Sequence, residues 1–140
     1  MSECIFCAVS AGRAERSLVH EDETSVAVMD ISPINPGHVL VIPKKHAVGL
    51  HDLDDEVGSH LFAVAMRISR AIRRSPVRSE GINLFLADGE AAGQEVFHVH
   101  LHVLPRFGGD PFRVHRAGAG VASPRDELDR VASQLQEALR

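Results

Sequence analysis

The sequence predicts an α+β fold: an antiparallel β-sheet with one long helix inserted between its strands and another helix at the C-terminal end. Three observations predict it. Apolar, β-branched runs at 25–31, 38–42, 81–87 and 96–104 are bounded by Gly, Pro, Asn and Asp. Between the second and third runs, Val57, Leu61, Val64, Ala65, Ile68, Ala71 and Ile72 recur at three- and four-residue steps, the helical period. The chain of 140 residues suits one domain over 1–140, because two would each be too small to bury much apolar surface.

Each element has its own warrant. Residues 25–31 (SVAVMDI) form the first expected strand, and SPINPG at 32–37 is a turn by composition. HVLVI at 38–42 completes a hairpin, and Pro43 ends it. The long helix opens on Asp54, Asp55 and Glu56, whose charges suit the positive end of the helix dipole. It closes on Arg70, Arg73 and Arg74 before Pro76. GINLFLA at 81–87 is a third strand, DGEAAG at 88–93 a glycine-bounded loop, and VFHVHLHVL at 96–104 a fourth strand. Residues 106–121 are glycine-rich and irregular. Ser123 as cap, Pro124 in the first position and Asp126 in the third open a last helix over about 123–139. Leu128, Val131, Leu135 and Leu139 form its apolar stripe.

Charge and composition narrow the function. A net charge of −4, with no Lys/Arg block, offers no general attraction to a nucleic-acid polymer. A bound nucleotide is therefore expected to be small and held in a pocket. No basic N-terminal region followed by an apolar core marks a signal peptide, and no apolar run approaches the ~18 residues that span a bilayer. The expectation is a cytoplasmic protein without membrane attachment. In that compartment Cys4 and Cys7 suit a metal half-site or a redox pair more than a structural disulfide.

Histidine is the compositional surprise: nine in all, with His98, His100 and His102 inside five residues. Side chains alternate along a strand, so these three line one face, about 6.5–7 Å apart, while Val99, Leu101 and Val103 line the other. Three readings compete. The strand can be half-polar by coincidence. The three imidazoles can hold one metal with an open position for water. Or one imidazole can attack phosphorus, because an ordinary pKa near 6.5 leaves it largely neutral at pH 7. The small-residue loop at 88–94 favours phosphate: it lets backbone N–H groups approach oxygens, and Gln94 can donate an amide.

The run Gly93-Gln94-Glu95-Val96-Phe97-His98-Val99-His100-Leu101-His102-Val103-Leu104-Pro105-Arg106 resembles the signature of the histidine-triad (HIT) superfamily of nucleotide hydrolases and transferases. Upstream, Asp30-Ile31-Ser32-Pro33 and the segment from Pro36 through His46 match as well, so the resemblance spans about residues 3–107. It implies a HIT-like fold and cleavage at the α-phosphate of a dinucleoside polyphosphate or a nucleoside phosphoramidate. His100 is then the nucleophile that forms a nucleotidyl-imidazole intermediate, and water releases a nucleoside monophosphate. His102 contacts the phosphate and assists the leaving group, and the backbone carbonyl of His98 orients His100. Gln94 contacts the phosphate, Asp30 binds the ribose hydroxyls, and Ile5, Phe6 and Ile31 form a base pocket for a purine. Those three apolar residues suit ordinary core packing equally well. A homodimer is expected by resemblance alone, and no catalytic metal.

The Cys4-Ile5-Phe6-Cys7 spacing is that of half a zinc knuckle. A redox pair wants a preceding strand and a helix start, and only three residues precede Cys4. Zinc-containing members of the resembled family complete the site with positions that are here His46 and His98, giving a structural zinc. Among the other histidines, His38 reads as structural, and His20, His51, His60 and His115 as surface residues. Lys44 and Lys45 read as a solvated pair or as a lure for phosphates. Two positions depart from the family pattern: Ala87, where relatives often carry an amide, and Glu95, where Ser or Thr is common. Asp88, next to Ala87, can compensate or repel. These departures keep open a non-catalytic nucleotide-binding protein beside the hydrolase and the triad-based zinc hydrolase.

Overall fold

A computed structural model describes residues 3–114 and 120–140; His115 lies outside them. The elements run α1 (Ile5–Ser10), β1 (Leu18–Glu21), β2 (Ser25–Met29), β3 (Val39–Pro43), α2 (Asp55–Arg74), β4 (Gly81–Phe85), β5 (Leu101–Arg106) and α3 (Arg125–Ala138). All strand pairs are antiparallel, and the strands lie in the order β1-β2-β3-β5-β4. The α+β expectation holds, with α2 inserted between β3 and β4. No helix among the described residues is long and apolar enough to cross a membrane.

Strand alternation divides the core in two. Ala27, Val39, Val41, Leu101 and Val103 face one side, where the α2 stripe of Leu61, Val64, Ala65, Ile68 and Ile72 covers them. Each of those larger side chains contributes about 1.5–3 kcal/mol by leaving water, and Leu61→Ala would cost about 2–5 kcal/mol. Val26, Val28, Leu40 and Ile42 face the other side and pack with Val9 and Phe6 of α1. The register that sets Leu40 beside His102 places that histidine on the α1 side of the sheet.

The 30–38 turn is fastened at both ends: Asp30 N–H donates to the His38 carbonyl (2.9 Å) and His38 N–H to the Asn35 carbonyl (3.2 Å). Gly37 takes φ +93°, and a Cβ there would meet Val77 Cγ1 at 2.7 Å. Only glycine fits both demands. The buried Asn35 amide donates to the Pro105 carbonyl and to Asp110 Oδ2, both at 2.9 Å. Asp110, also buried, takes a two-pronged bond from Arg106 at 2.6 and 2.8 Å. This knot locks the turn to the end of β5.

Several sequence expectations are corrected. The fourth strand starts at Leu101, not at 96: residues 96–100 are irregular, and Val99 N–H donates to the Ala47 carbonyl (2.8 Å) instead of joining the ladder. α1 and the edge strand β1 escape the apolar pattern altogether. At α3, Pro124 occupies the cap position and no side chain caps the helix, so Ser123 does not play that part. The stripe of Leu128, Val131, Leu135 and Leu139 exists, but all four are exposed.

Candidate active site and metal cluster

A cavity of about 830 Å³ opens on the α1 side of the sheet, within the usual size range of ligand sites. His100, His102, His38, Asp30 and Gln94 line it, together with Ile5, Phe6 and Ile31. Ile31 is 95% exposed and Ile5 53%, which excludes core packing for both. Phe6 stands edge-on to His100 with ring centres 4.9 Å apart.

The three triad histidines do not share one task. His98, fully buried, turns away from the cavity: its Nε2 donates to the Pro43 carbonyl (2.8 Å), which leaves Nδ1 as a lone pair. That Nδ1 faces Cys4 Sγ at 3.4 Å, Cys7 Sγ at 3.5 Å and His46 Nδ1 at 3.2 Å, and Cys7 Sγ lies 3.3 Å from His46 Nδ1. Ligand atoms around a tetrahedral zinc with bonds of ~2.0–2.3 Å lie about 3.3–3.8 Å apart. Two cysteine sulfurs, as thiolates, and the Nδ1 atoms of His46 and His98 therefore fit such an ion, and the fixed His98 tautomer presents the donor it needs.

His100 behaves differently. Its Nδ1 donates to the carbonyl of His98 (2.8 Å), so its Nε2 carries no proton. His102 sits 4.8 Å away, centre to centre, stacked on Phe85 at 4.1 Å. His38, read from sequence as structural, proves to be part of the site. Ile34 N–H donates to His38 Nδ1 (3.2 Å), so the proton sits on Nε2, and Nε2 donates to His102 Nδ1 at 2.9 Å. His102 must then carry its own proton on Nε2. The protein thus sets a lone pair on His100 and an N–H on His102 within one cavity.

Burial keeps these rings neutral. It lowers the pKa of His98, His100 and His38 from the ordinary histidine value, against the opposing pull of the Pro43 carbonyl, the His98 carbonyl and Asp30 respectively. For His102, burial and then the neighbouring His100 and His38 push the value down to about 4. Each neutral ring therefore has one donor and one acceptor, as the hydrogen bonds require. Among the described residues, no potential metal cluster combines the three triad rings. His98 belongs to the cysteine cluster and His102 to a group with Asp30 and His38.

The loop before β5 is self-contained. Gln94 accepts from Gly89 N–H (2.8 Å) and donates to the carbonyls of Val48 (2.6 Å) and Val96 (3.1 Å). The N–H groups of Ala92, Gly93 and Gln94 are likewise bonded within the loop. The loop spends these N–H groups on its own shape. Asp88 leans over Gly49, where a Cβ would collide with its carboxylate, while Ala87 and Glu95 do line the cavity. Lys44 pairs with Glu21 at 2.8 Å and Lys45 with Asp54 at 3.5 Å. His20 and His60 converge on Asp22 Oδ2 at 2.9 and 2.7 Å, and His51 is exposed.

Comparison with known proteins agrees with this geometry. The chain is 40% identical over 138 residues to the Protein hit of Bacillus subtilis, covering 97% of this chain and 94% of that one. It is 32% identical to the adenylylsulfatase HINT3 of Arabidopsis thaliana, covering 99% of this chain and 68% of that one. Among solved structures, a HIT family protein of Bacillus anthracis superposes with a TM-score of 0.90 at 38% identity, covering 98% and 97% of the two chains. A zinc-bound histidine triad family protein of Mycobacterium smegmatis does so with 0.76 at 41% identity, covering 96% of each. The HIT domain model matches residues 11–109, and the chain therefore belongs to the HIT domain family.

Proposed function

We propose that the chain is a nucleotide hydrolase or nucleotidyl transferase working through a covalent nucleotidyl-histidine. The observation that carries this reading is the pair of fixed tautomers, a lone pair on His100 Nε2 and a proton on His102 Nε2. His100 Nε2 attacks the α-phosphorus and forms a P–N bond. The bond from phosphorus to the leaving group breaks, and the leaving atom carries off the electron pair while accepting a hydrogen bond from His102 Nε2–H, which offsets its developing charge. Water then attacks phosphorus and loses a proton to solvent, the P–N bond breaks with its electron pair returning to His100 Nε2, and a nucleoside monophosphate departs. An acceptor other than water makes the same intermediate a transferase step. The reading is supported by relatives such as the adenylylsulfatase.

In this reading Asp30 binds the ribose, and Ile5, Phe6 and Ile31 embrace a purine. Gln94 contacts phosphate only by releasing one of its two carbonyl bonds. Cys4, Cys7, His46 and His98 hold a structural zinc, which when bound ties the start of α1 to the irregular segment that carries the nucleophile; no step passes through it. The protein acts as a cytoplasmic homodimer, for which exposed Phe62 and Met66 on α2 and the α3 stripe supply apolar surface. A second reading is favoured by Ala87, Glu95 and the fully engaged Gln94 amide: a protein that binds purine nucleotides without turnover.

The test compares wild type with His100→Ala on adenosine 5′-phosphoramidate and on diadenosine polyphosphates, with rapid quench and mass analysis of the protein. AMP release together with an adduct on His100, both lost in the variant, supports the hydrolase. AMP binding without release selects the second reading. Turnover without an adduct refutes the covalent mechanism.

A further inference from the structure

We propose that Asp30, His38 and His102 form a second divalent-metal site, inside the cavity, at which a zinc-class ion reversibly blocks the reaction. The three ligand atoms all lie within 4.8 Å of one another. His38 Nε2 is 2.9 Å from His102 Nδ1 and 3.6 Å from Asp30 Oδ2. Ligand atoms of a tetrahedral zinc bound by imidazole and carboxylate stand about 3.3–3.4 Å apart, so admitting the ion parts the two rings slightly and draws together the Asp30–His102 pair, which lies within 4.8 Å. Two imidazoles with one carboxylate suit zinc or its transition-metal neighbours rather than magnesium or calcium, which prefer oxygen alone.

The backbone preorganises the trio. Asp30 N–H holds the His38 carbonyl across the turn, and the β3–β5 ladder sets Leu40, two residues past His38, beside His102. Asp30 Oδ1 already accepts from Ser32 N–H (2.8 Å), leaving Oδ2 directed at the rings. Three protein ligands leave a fourth position for water or a ligand, and Asp30, His38 and His102 all line the cavity.

Proton accounting sets the strength of the site. The ion takes the place of the proton between His38 Nε2 and His102 Nδ1. His38 stays neutral, so that proton moves to its Nδ1, where it meets the N–H of Ile34 instead of accepting from it. Leaving that donor unpaired weakens binding about ten- to a hundredfold. The thiolate cluster therefore fills first and the cavity site second. Once filled, the cavity site ties up Asp30 and His102 together. The inhibition rests on the proposed nucleotide chemistry; the binding does not.

The experiment titrates full-length protein, already holding one zinc per chain, with further Zn(II) in a calorimeter, and repeats the titration with Co(II) while recording visible absorption. Wild type is expected to take a second, weaker equivalent, whose Co(II) spectrum lacks a thiolate charge-transfer band. Asp30→Asn and His38→Phe should each lose that equivalent, and Asp30→Asn serves if His38→Phe fails to fold. His60→Gln should keep it, which separates the cavity from the His20–Asp22–His60 cluster. AMP release should fall about a hundredfold as the second equivalent binds, the value of one transition-state donor, and return when a weak chelator removes it. Uptake of one equivalent only, a second that survives in Asp30→Asn, or one lost in His60→Gln overturns the site. Binding that leaves AMP release unchanged overturns the inhibition. Absence of turnover in metal-limited wild type bears on the proposed function and leaves the stoichiometry to judge the site.

Discussion

Replacing His38 with Phe tests the hydrogen-bond chain that sets the proton on His102. The ring is 2% exposed; phenylalanine removes both nitrogens but is the larger ring, so it also overpacks the site at about 1–3 kcal/mol. Two bonds vanish: Ile34 N–H loses its acceptor and His102 Nδ1 its donor. An unmet buried group costs about 1–3 kcal/mol. Cavity water can reach His102, so the net loss of stability is that of one such group plus the overpacking. The rate should respond separately. Losing the bond that selects the Nε2–H tautomer lowers kcat/KM by at least about tenfold, the worth of ~1.4 kcal/mol, and by no more than the ~10²–10³ of a whole transition-state donor. A third effect has a definite sign. His38 is one of the neighbours that depress the His102 pKa, so its removal raises that pKa. Urea unfolding, AMP release at pH 7 and NMR titration of the His102 ring measure all three. A variant destabilised as expected, yet with kcat/KM within about twofold of wild type and an unmoved His102 titration, would falsify the relay.

Other expectations can be checked independently. His102 binds a proton less readily folded, at about 4, than unfolded, near 6.5. Stability is therefore complete above pH 6.5 and falls as pH drops toward 4, by about 3 kcal/mol from this residue; urea midpoints at pH 7 and 4.5 report it. Gly37→Ala forces a side chain onto φ +93° and into Val77, costing about 2 kcal/mol or more, read as a lowered melting temperature. Asp110→Asn removes the charge that pairs with Arg106 and should lower the melting temperature in the same assay. Cys7→Ser should retain less than one zinc per chain after dialysis, by elemental analysis, and lose thermal stability with it.

The sequence disclosed what periodicity can disclose. The apolar steps of α2 and the β-branched runs of β2, β3 and β4 are strong because one face of each packs in the core. α1 has six residues, too few for a period, and it exists because Phe6 and Val9 pack beneath the sheet. β1 is an edge strand with mostly exposed side chains, so it shows no alternation. The triad was visible as a cluster, yet alternation alone placed all three rings on one face. The strand pattern carries no sign that His98 rotates into the cysteine cluster while Val99 leaves the ladder. His38 was missed for a related reason: its partner is 64 residues away, and only the β3–β5 register brings them together. The Asn35–Asp110 contact spans 75 residues and leaves no local trace.

The acceptor that orients His100 is a main-chain oxygen, and this governs how the site responds to genetic change. No amino-acid replacement at position 98 deletes a carbonyl. The anchor of His100 is therefore immune to direct loss and vulnerable only to displacement of the chain that carries it. What holds that chain is the bond from the His98 ring to Pro43, the bond from Val99 to Ala47, and the grip of the cysteine cluster on the ring itself. Variation that disturbs His100 without touching it should accordingly concentrate at positions 4, 7, 43, 46 and 47, none of which lines the cavity.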